Sequence, residues 1–388
     1  TGSKSETNRL LLLKALYPNI VIENASNSDD SEVMNSALTA NHIIDVHHAG
    51  TAMRFLTAYF ASQENKTVTL TGSSRMKERP IKILVDALIQ LGAKIEYLEN
   101  DGFPPIKISG QKLNSCRVSL PANVSSQYIS ALLLIAPSLQ NGLELELIGE
   151  ITSIPYINMT LKLLNEINVE TTFVNNKIVV KPLDQDPKSK TLIVESDWSS
   201  ASYFYSIIAL SKAGTQIELS NFKENSLQGD AILATIYEQM GVETHFNDGK
   251  ITLVKTQNSI KQNIVLDLNS APDIAQTIAV TAFGLGIGCQ LTGLHTLKIK
   301  ETDRLEALQI ELSKLGAPIS VTNDSLKIEP SKSINSNQNI ATYNDHRMAM
   351  AFAPLALKKN INIENAEVVS KSYPNFWNDL KKVGFEIS

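Results

Sequence analysis

VSLPANVSSQYISALLLIAP (118–137), LELELIG (143–149), YINMTLKLLNEINVE (156–170) and TTFVNNKIVVKP (171–182) follow one another along the chain, and their order decides the fold. A β-rich run enters a polar motif, an Ala- and Leu-rich helix follows, then a second strand, an amphipathic helix and a strand pair. The same order returns in TLIVESDWSSASYFYSIIAL (191–210), TQIELSNF (215–222), GDAILATIYEQMGVE (229–243) and THFNDGKITLVK (244–255). It returns again from IVLDLNSAPDIAQTIAVTAF (264–283) through DRLEALQIELSKLGA (303–317) to PISVTNDSLKIEP (318–330). With Ser3, Gly50, Ser125, Asp197, Asp273 and Asp345 as landmarks, the spacings are 47, 75, 72, 76 and 72 residues. This is an internal repeat of six βαβαββ units, whose apolar faces bury against one another. The first is short. DDSEVMNSAL (29–38) runs almost directly into DVHHAGTAMRF (45–55), so its strand pair is expected to be missing.

Three units per domain is the simplest division of an α/β chain of this kind. LDQDPKSK (183–190) is polar and contains Pro, which places the boundary near Glu195, with domains at 1–195 and 196–388. Each polar motif falls where a helix begins, and helix N-termini offer free N–H groups and a positive dipole end to anions. Six such ends are expected to converge on one cleft.

The arginines point the same way. Of 35 basic residues only seven are Arg, and six of these (Arg9, Arg54, Arg75, Arg79, Arg304 and Arg347) lie in the polar motifs. A chain that charges its surface with Lys keeps Arg where a planar fork makes two-point contact with carboxylate or phosphate. The implied ligand is a small, multiply anionic molecule. A net charge of −5 gives no positive field for nucleic acid or an anionic membrane. No apolar run is long enough to span a bilayer, and the chain reads as cytoplasmic. Cys116 and Cys289 lack metal or disulfide spacing and read as packed thiols.

In GSKSETNR (2–9), Gly2 and Ser3 permit a tight turn, Ser5 or Thr7 can cap the helix, and Lys4 and Arg9 bring charge to its positive end; a capped surface helix reads equally well. HHAGTAMRF (47–55) allows close backbone approach at Gly50. GSSRMKERP (72–80) adds Arg75, Lys77 and Arg79, against which stands a solvated loop. His47 and His48 face opposite ways on a strand and have no third ligand, so no metal site is expected. VSSQY (124–128) offers Ser125, Ser126 and Gln127 at a helix start, and SIPY (153–156) adds Ser153 and Tyr156. In KIKETDR (298–304), Lys300 and Arg304 share a face if the helix has begun, with Glu301 beside them as an ion pair or a tuned acid–base group. His346, in DHRMAM (345–350), reads as a helix cap or a proton carrier, and Lys371 stands in apolar surroundings.

GSKSETNR, AGTAMRF, LTGSSRMKERPI, SSQY, DWSSASYF, LQGD, KIKETDRL, NDHRMAMAFAPLAL and VVSKSYPNFW resemble, in order and over the whole chain, the motifs of the 5-enolpyruvylshikimate-3-phosphate synthase family. The resemblance implies a two-domain inverted α/β barrel with three βαβαββ units per domain and the site in the cleft between them. It implies a monomeric, cytoplasmic enzyme of aromatic amino-acid biosynthesis. That enzyme would transfer the enolpyruvyl group of phosphoenolpyruvate to the 5-hydroxyl of shikimate 3-phosphate, with no cofactor, metal, nucleic acid or membrane. By the family pattern Lys4, Gly50, Arg79, Gln127 and Lys371 would hold the phosphoenolpyruvate phosphate, and Arg304 and Arg347 its carboxylate. Ser5, Arg9, Ser125, Ser126, Gln127, Ser153, Tyr156, Asp273, Thr296 and Lys300 would hold shikimate 3-phosphate. Asp273 would take the 5-hydroxyl proton, Glu301 would give and remove the methylene proton, and Lys4 and His346 would assist at the leaving phosphate. Glyphosate competes for the phosphoenolpyruvate site in this family, and a methyl at Gly50 is expected to project toward it.

His48, Phe55, Ile154 and Thr296 depart from the family pattern and touch the fine contacts. Enolpyruvyl transfer to a UDP-sugar would share the fold, but its relatives carry Cys five residues before the Arg-Pro pair, where this chain has Ser74. A nucleic-acid-end ligase on a related repeat fold would need a nucleotide pocket and a nucleophilic His. A non-catalytic repeat scaffold would need none of these motifs.

Overall fold

In the computed structural model, strand Arg117–Pro121 pairs in parallel with Leu143–Ile148, which pairs antiparallel with Lys177–Val180, itself in a hairpin with Thr171–Val174. Parallel neighbours need a crossover, and the helix Ser126–Ile135 supplies it. The same arrangement builds a sheet from His42–Asp45, Thr67–Thr71, Ile106–Ser109 and Lys94–Tyr97. A third is built from Asn263–Asp267, Gly288–Thr292, Leu326–Ile328 and Ile319–Val321. Gln216–Ser220, Lys250–Lys255 and Val242–Asn247 form a three-stranded version, whose tight turn places Asp248 and Gly249 at φ 52° and 75°, as a two-residue hairpin of this twist requires. Ile20–Glu23 pairs in parallel with Lys190–Ile193, and Gln338–Ile340 with Ile361–Ile363. Helix Asp29–Thr39 is followed directly by strand His42–Asp45 with no strand pair between them.

Residues 1–388 are described apart from positions 124, 152–153, 184–186, 258–259 and 332. The chain divides into two compact units, Thr1–Val194 and Glu195–Ser388. Each is organised around helices that are apolar on nearly every side, which only a fully enclosed position can satisfy. In the first unit Lys4–Leu16, Gly50–Ala61 and Ser126–Ile135 pack on one another. Every residue of Gly50–Ala61 except Thr51 is buried, and every residue of Ser126–Ile135 except Gln127. In the second unit Ala275–Leu285 packs against both Trp198–Leu210 and His346–Phe352. Hydroxyl pairs Ser202–Thr277 (3.0 Å) and Thr281–Ser206 (2.7 Å) fix the register of two of these helices, because a slip would strand buried polar groups. With their bodies buried, these helices expose chemistry only at their ends.

Candidate active site

In the first unit, Ser3 rather than Ser5 or Thr7 caps the Lys4–Leu16 helix, its Oγ accepting the Glu6 N–H. Lys4 Nζ donates to Asp30 Oδ2 at 2.9 Å. Arg9 is 2% exposed and lies beneath the surface instead of on it. Its Nε donates to Thr160 Oγ1 (2.8 Å), Nη1 to the Ser5 carbonyl (2.7 Å), and Nη2 to Ser130 Oγ (3.0 Å) and the Tyr156 carbonyl (3.4 Å). Its Cζ lies 5.4 Å from the centroid of the Phe55 ring, a cation–π contact that gives the departure at Phe55 a physical role. Burial, partly offset by Tyr156 and Glu6, lowers the guanidinium to about 10, so it remains charged at neutral pH. Arg9 thus braces Ser5 and Tyr156 from behind.

Gly50 begins its helix against the Arg79 guanidinium: a Cβ built there would stand 2.6 Å from Nη1 and 2.9 Å from Nη2. Arg54, read in the sequence as one charge among several, is 4% exposed and donates to the Gly50 carbonyl (3.2 Å) and the Pro80 carbonyl (3.1 Å). Tyr128 OH also donates to Pro80 O, at 2.6 Å, so the loop that carries Arg79 is held from two sides. Gln127 Nε2 donates to Thr51 Oγ1 at 3.0 Å, tying two helix N-termini together through the half-buried residue of each. Ser125 caps its helix, accepting the Gln127 N–H, and Ser126 is buried. His48 Nδ1 pairs with Ser73 Oγ at 2.9 Å. Arg75–Glu78 and Lys77–Glu99 are exposed ion pairs of the kind that contribute about 0–1 kcal/mol, so the solvated reading holds for those two cations. Tyr156 lies in helix Ile154–Glu166, while Ser153 falls outside the described residues.

The second unit gathers charge more tightly. Arg304 is 1% exposed; its Nε donates to Asp345 Oδ2 (2.7 Å), Nη1 to Asp273 Oδ1 (2.9 Å) and Nη2 to Glu301 Oε2 (2.8 Å). Lys300 Nζ lies 3.4 Å from Asp273 Oδ1, and Arg347 Nη2 lies 3.4 Å from Asp273 Oδ2. Arg347 also donates to the Asp273 carbonyl (3.1 Å) and to Ser199 Oγ (3.3 Å), so three helix starts meet at this one side chain. The helix begins only at Arg304, capped by Asp303, with Lys300 in extended backbone before it. Lys300 and Arg304 are therefore not brought together by a shared helical face; Asp273 collects both. Asp345, not His346, is the cap of its helix, accepting the Arg347 N–H at 2.8 Å, and His346 is buried behind it. Thr296 Oγ1 is buried without a hydrogen-bond partner. Lys371 Nζ donates to the Asn344 carbonyl at 2.6 Å.

Burial raises the Asp273 carboxyl, but Lys300, Arg347 and Arg304 outweigh it and hold the group well below the usual carboxylate range. So depressed a carboxylate is a poor base until its cations turn elsewhere. Asp230, in LQGD, was legible only as part of a motif. It is 3% exposed; Oδ2 accepts the Ser199 hydroxyl, Oδ1 has no partner, and burial followed by the Asp273 charge raises it to about 6. Among the described residues no group of three or more His, Cys, Asp or Glu side chains is arranged to hold a metal, and no helix is long and apolar enough to cross a membrane.

A family model described as EPSP synthase (3-phosphoshikimate 1-carboxyvinyltransferase) matches residues 7–380. The chain belongs to the EPSP synthase family. It is 47% identical over 392 residues to 3-phosphoshikimate 1-carboxyvinyltransferase of Bacteroides fragilis (strain YCH46), covering 100% of this chain and 94% of the relative. The enzyme of that name from Colwellia psychrerythraea (strain 34H / ATCC BAA-681) is 37% identical, with 98% and 95% covered. In fold the chain is similar to EPSP synthase from Acinetobacter baumannii, with a TM-score of 0.78 at 21% identity and coverage of 100% and 95%. It is also similar to the enolpyruvyl transferase NikO from Streptomyces tendae, with a TM-score of 0.69 at 15% identity and coverage of 100% and 94%.

Asp230 makes the stability of the fold depend on pH. Its folded-state value of about 6 lies above the usual 3.8. Its contribution is therefore fully present below the unfolded value and is lost as pH rises through the folded one, a difference of roughly 2–3 kcal/mol. In urea denaturation, wild type relative to Asp230→Asn is expected to lose that amount between about pH 4 and pH 7 and to stay level above it. A difference independent of pH would contradict the assignment.

Proposed function

We propose that this chain transfers the enolpyruvyl group of phosphoenolpyruvate to the 5-hydroxyl of shikimate 3-phosphate and releases phosphate, with residues of both units acting on one substrate pair. The observation that carries the proposal is the second-unit cluster, in which Lys300, Arg304 and Arg347 stand against Asp273, Glu301 and Asp345. Three cations are held against carboxylates, and the Asp273 and Glu301 side chains keep 18% and 20% exposure where Asp345 has 0%, so an entering anion can reach the first two.

In the forward reaction Arg304 and Arg347 take the phosphoenolpyruvate carboxylate, and Lys4, Arg79, Gln127 and Lys371 its phosphate, with the bare backbone of Gly50 against the Arg79 guanidinium. Ser5, Ser125, Ser126, Ser153, Tyr156, Thr296 and Lys300 hold shikimate 3-phosphate, with Arg9 bracing the Ser5 and Tyr156 backbone. As cations move from Asp273 to substrate oxygens, its carboxyl rises toward the ordinary range and becomes able to accept the 5-hydroxyl proton. The hydroxyl oxygen bonds to C2 of phosphoenolpyruvate while Glu301 gives a proton to C3. Glu301 then takes a proton back from C3, the C2–O bond to phosphate breaks with Lys4 and His346 assisting, and the proton held by Asp273 passes to the departing phosphate, which restores both carboxyl groups. No electron acceptor is required at any step.

Incubation with both substrates is expected to release phosphate only when both are present; no release at saturation of each would overturn the proposal. Glu301→Gln is expected to lower kcat by ~10² to 10⁴ while the substrate dissociation constants stay close to wild type, because proton transfer is removed and binding is not. Turnover near that of wild type would remove Glu301 from its role.

Gly50→Ala makes a separate test. The structure directs the added methyl at the Arg79 guanidinium rather than simply toward the ligand, so Arg79 must move. A displaced charge-assisted contact corresponds to ~10- to 100-fold. The KM for phosphoenolpyruvate and the inhibition constant of glyphosate should rise together, as read from inhibition curves at fixed phosphoenolpyruvate. Curves identical to wild type would sink the steric argument.

A further inference from the structure

Two consecutive residues just before the Arg347 helix, Tyr343 and Asn344, adopt left-handed backbone at φ 54° and 55°. Asn tolerates that region; a bulky aromatic residue seldom enters it. The turn is held in place by side chains. Tyr343 OH donates to Glu311 Oε1 at 2.6 Å, the Ala341 N–H donates to Glu311 Oε2 at 3.2 Å, and the Asp345 N–H closes on the Thr342 carbonyl at 2.8 Å. Glu311 is 0% exposed and is itself fixed by Lys314 Nζ at 2.7 and 2.9 Å.

Glu311 sits on the same helix, Arg304–Lys314, whose first residue grips Asp345 through Nε at 2.7 Å. Arg304 and Glu311 are two turns apart, ~10 Å along the axis, so a single rigid element holds both ends of the segment 341–345. Beyond the turn, Asp345 accepts the Arg347 N–H, and the Arg347 guanidinium reaches the Asp273 carbonyl and Ser199. Burial first, and then the Glu311 contact, push the Tyr343 phenol upward, so it stays a donor across the working pH range.

We propose that Tyr343 and Glu311 are positioning residues for the reaction: they hold the left-handed turn that aims Arg347, without touching substrate themselves. The inference rests on the reading that Arg347 takes the phosphoenolpyruvate carboxylate. It explains why a carboxylate in the last turns of that helix is wholly buried and turned toward this loop.

Tyr343→Phe removes one hydroxyl. It is expected to raise the KM for phosphoenolpyruvate on the order of tenfold, as a displaced binding group does. The dissociation constant of shikimate 3-phosphate, measured without phosphoenolpyruvate, should stay within about twofold of wild type. Glu311→Gln, which keeps one acceptor for Tyr343 but sets an amide NH2 against the Ala341 N–H and the Lys314 ammonium, should raise the same constant and serves if the Phe variant does not fold. A merely structural role would lower the melting temperature and leave both constants alone, and that outcome overturns the inference while wild-type turnover still supports the proposed reaction. Absence of phosphate release from wild type would overturn both.

Discussion

A single guanidinium holds three carboxylates in the second unit, and much of that unit's architecture follows from the need to keep it there. Arg304 is almost wholly enclosed, and so is Asp345. A charge removed from water is tolerated only when paired and fully hydrogen-bonded, and removing one partner of such a pair typically costs about 3–5 kcal/mol. The helix that begins at Arg304, the cap at Asp345 and the short helix carrying Asp273 are consequently fixed relative to one another. Lys300 and Arg347 join at the more open side, where Asp273 is shared among three cations. Among these six residues the formal charges cancel, so the cluster is stable without ligand and still able to redistribute when an anion arrives.

The first unit solves a different problem with the same material. Its candidate site residues begin helices whose bodies are buried, and the supports lie one layer down. Arg9 ties Ser5 to Ser130, Thr160 and Tyr156, while Arg54 ties Gly50 to Pro80. Arg is suited to this because its planar fork bonds to several carbonyls and hydroxyls at once and remains charged. The few arginines are thus not all surface charge: Arg9 and Arg54 brace backbone from beneath.

The repeat was legible because each unit carries its own local signals. Alternating strands, Ala-rich helices and turn residues such as Asp248 and Gly249 need no tertiary information. The polar motifs that interrupt the apolar runs were legible too, and Ser3, Ser125, Asp303 and Asp345 in them cap helices. Depth was not legible. Nothing in the spacing of GSKSETNR says that Arg9 faces inward, which is settled by the hydroxyls and carbonyls packed around it, whereas the Asp303 cap that starts the helix at Arg304 is a signal carried within KIKETDR itself. Asp230 and Glu311 escaped notice for the same reason, since a carboxylate on a helix or loop looks solvated until the elements around it close. The departure at Phe55 became intelligible only once its ring was seen beside Arg9.

In the proposed reaction the cations of the second unit, held by carboxylates in the free protein, pass to substrate when it binds. A crystal structure with shikimate 3-phosphate and a non-reacting analogue of phosphoenolpyruvate addresses it most directly. The account predicts that Arg304 keeps Asp345 while Arg304 and Arg347 acquire carboxylate oxygens of the analogue within ~3 Å, and that Lys300 leaves Asp273 for shikimate 3-phosphate. An Arg304 still bonded to all three carboxylates, with no ligand oxygen near it or Arg347, would contradict the account.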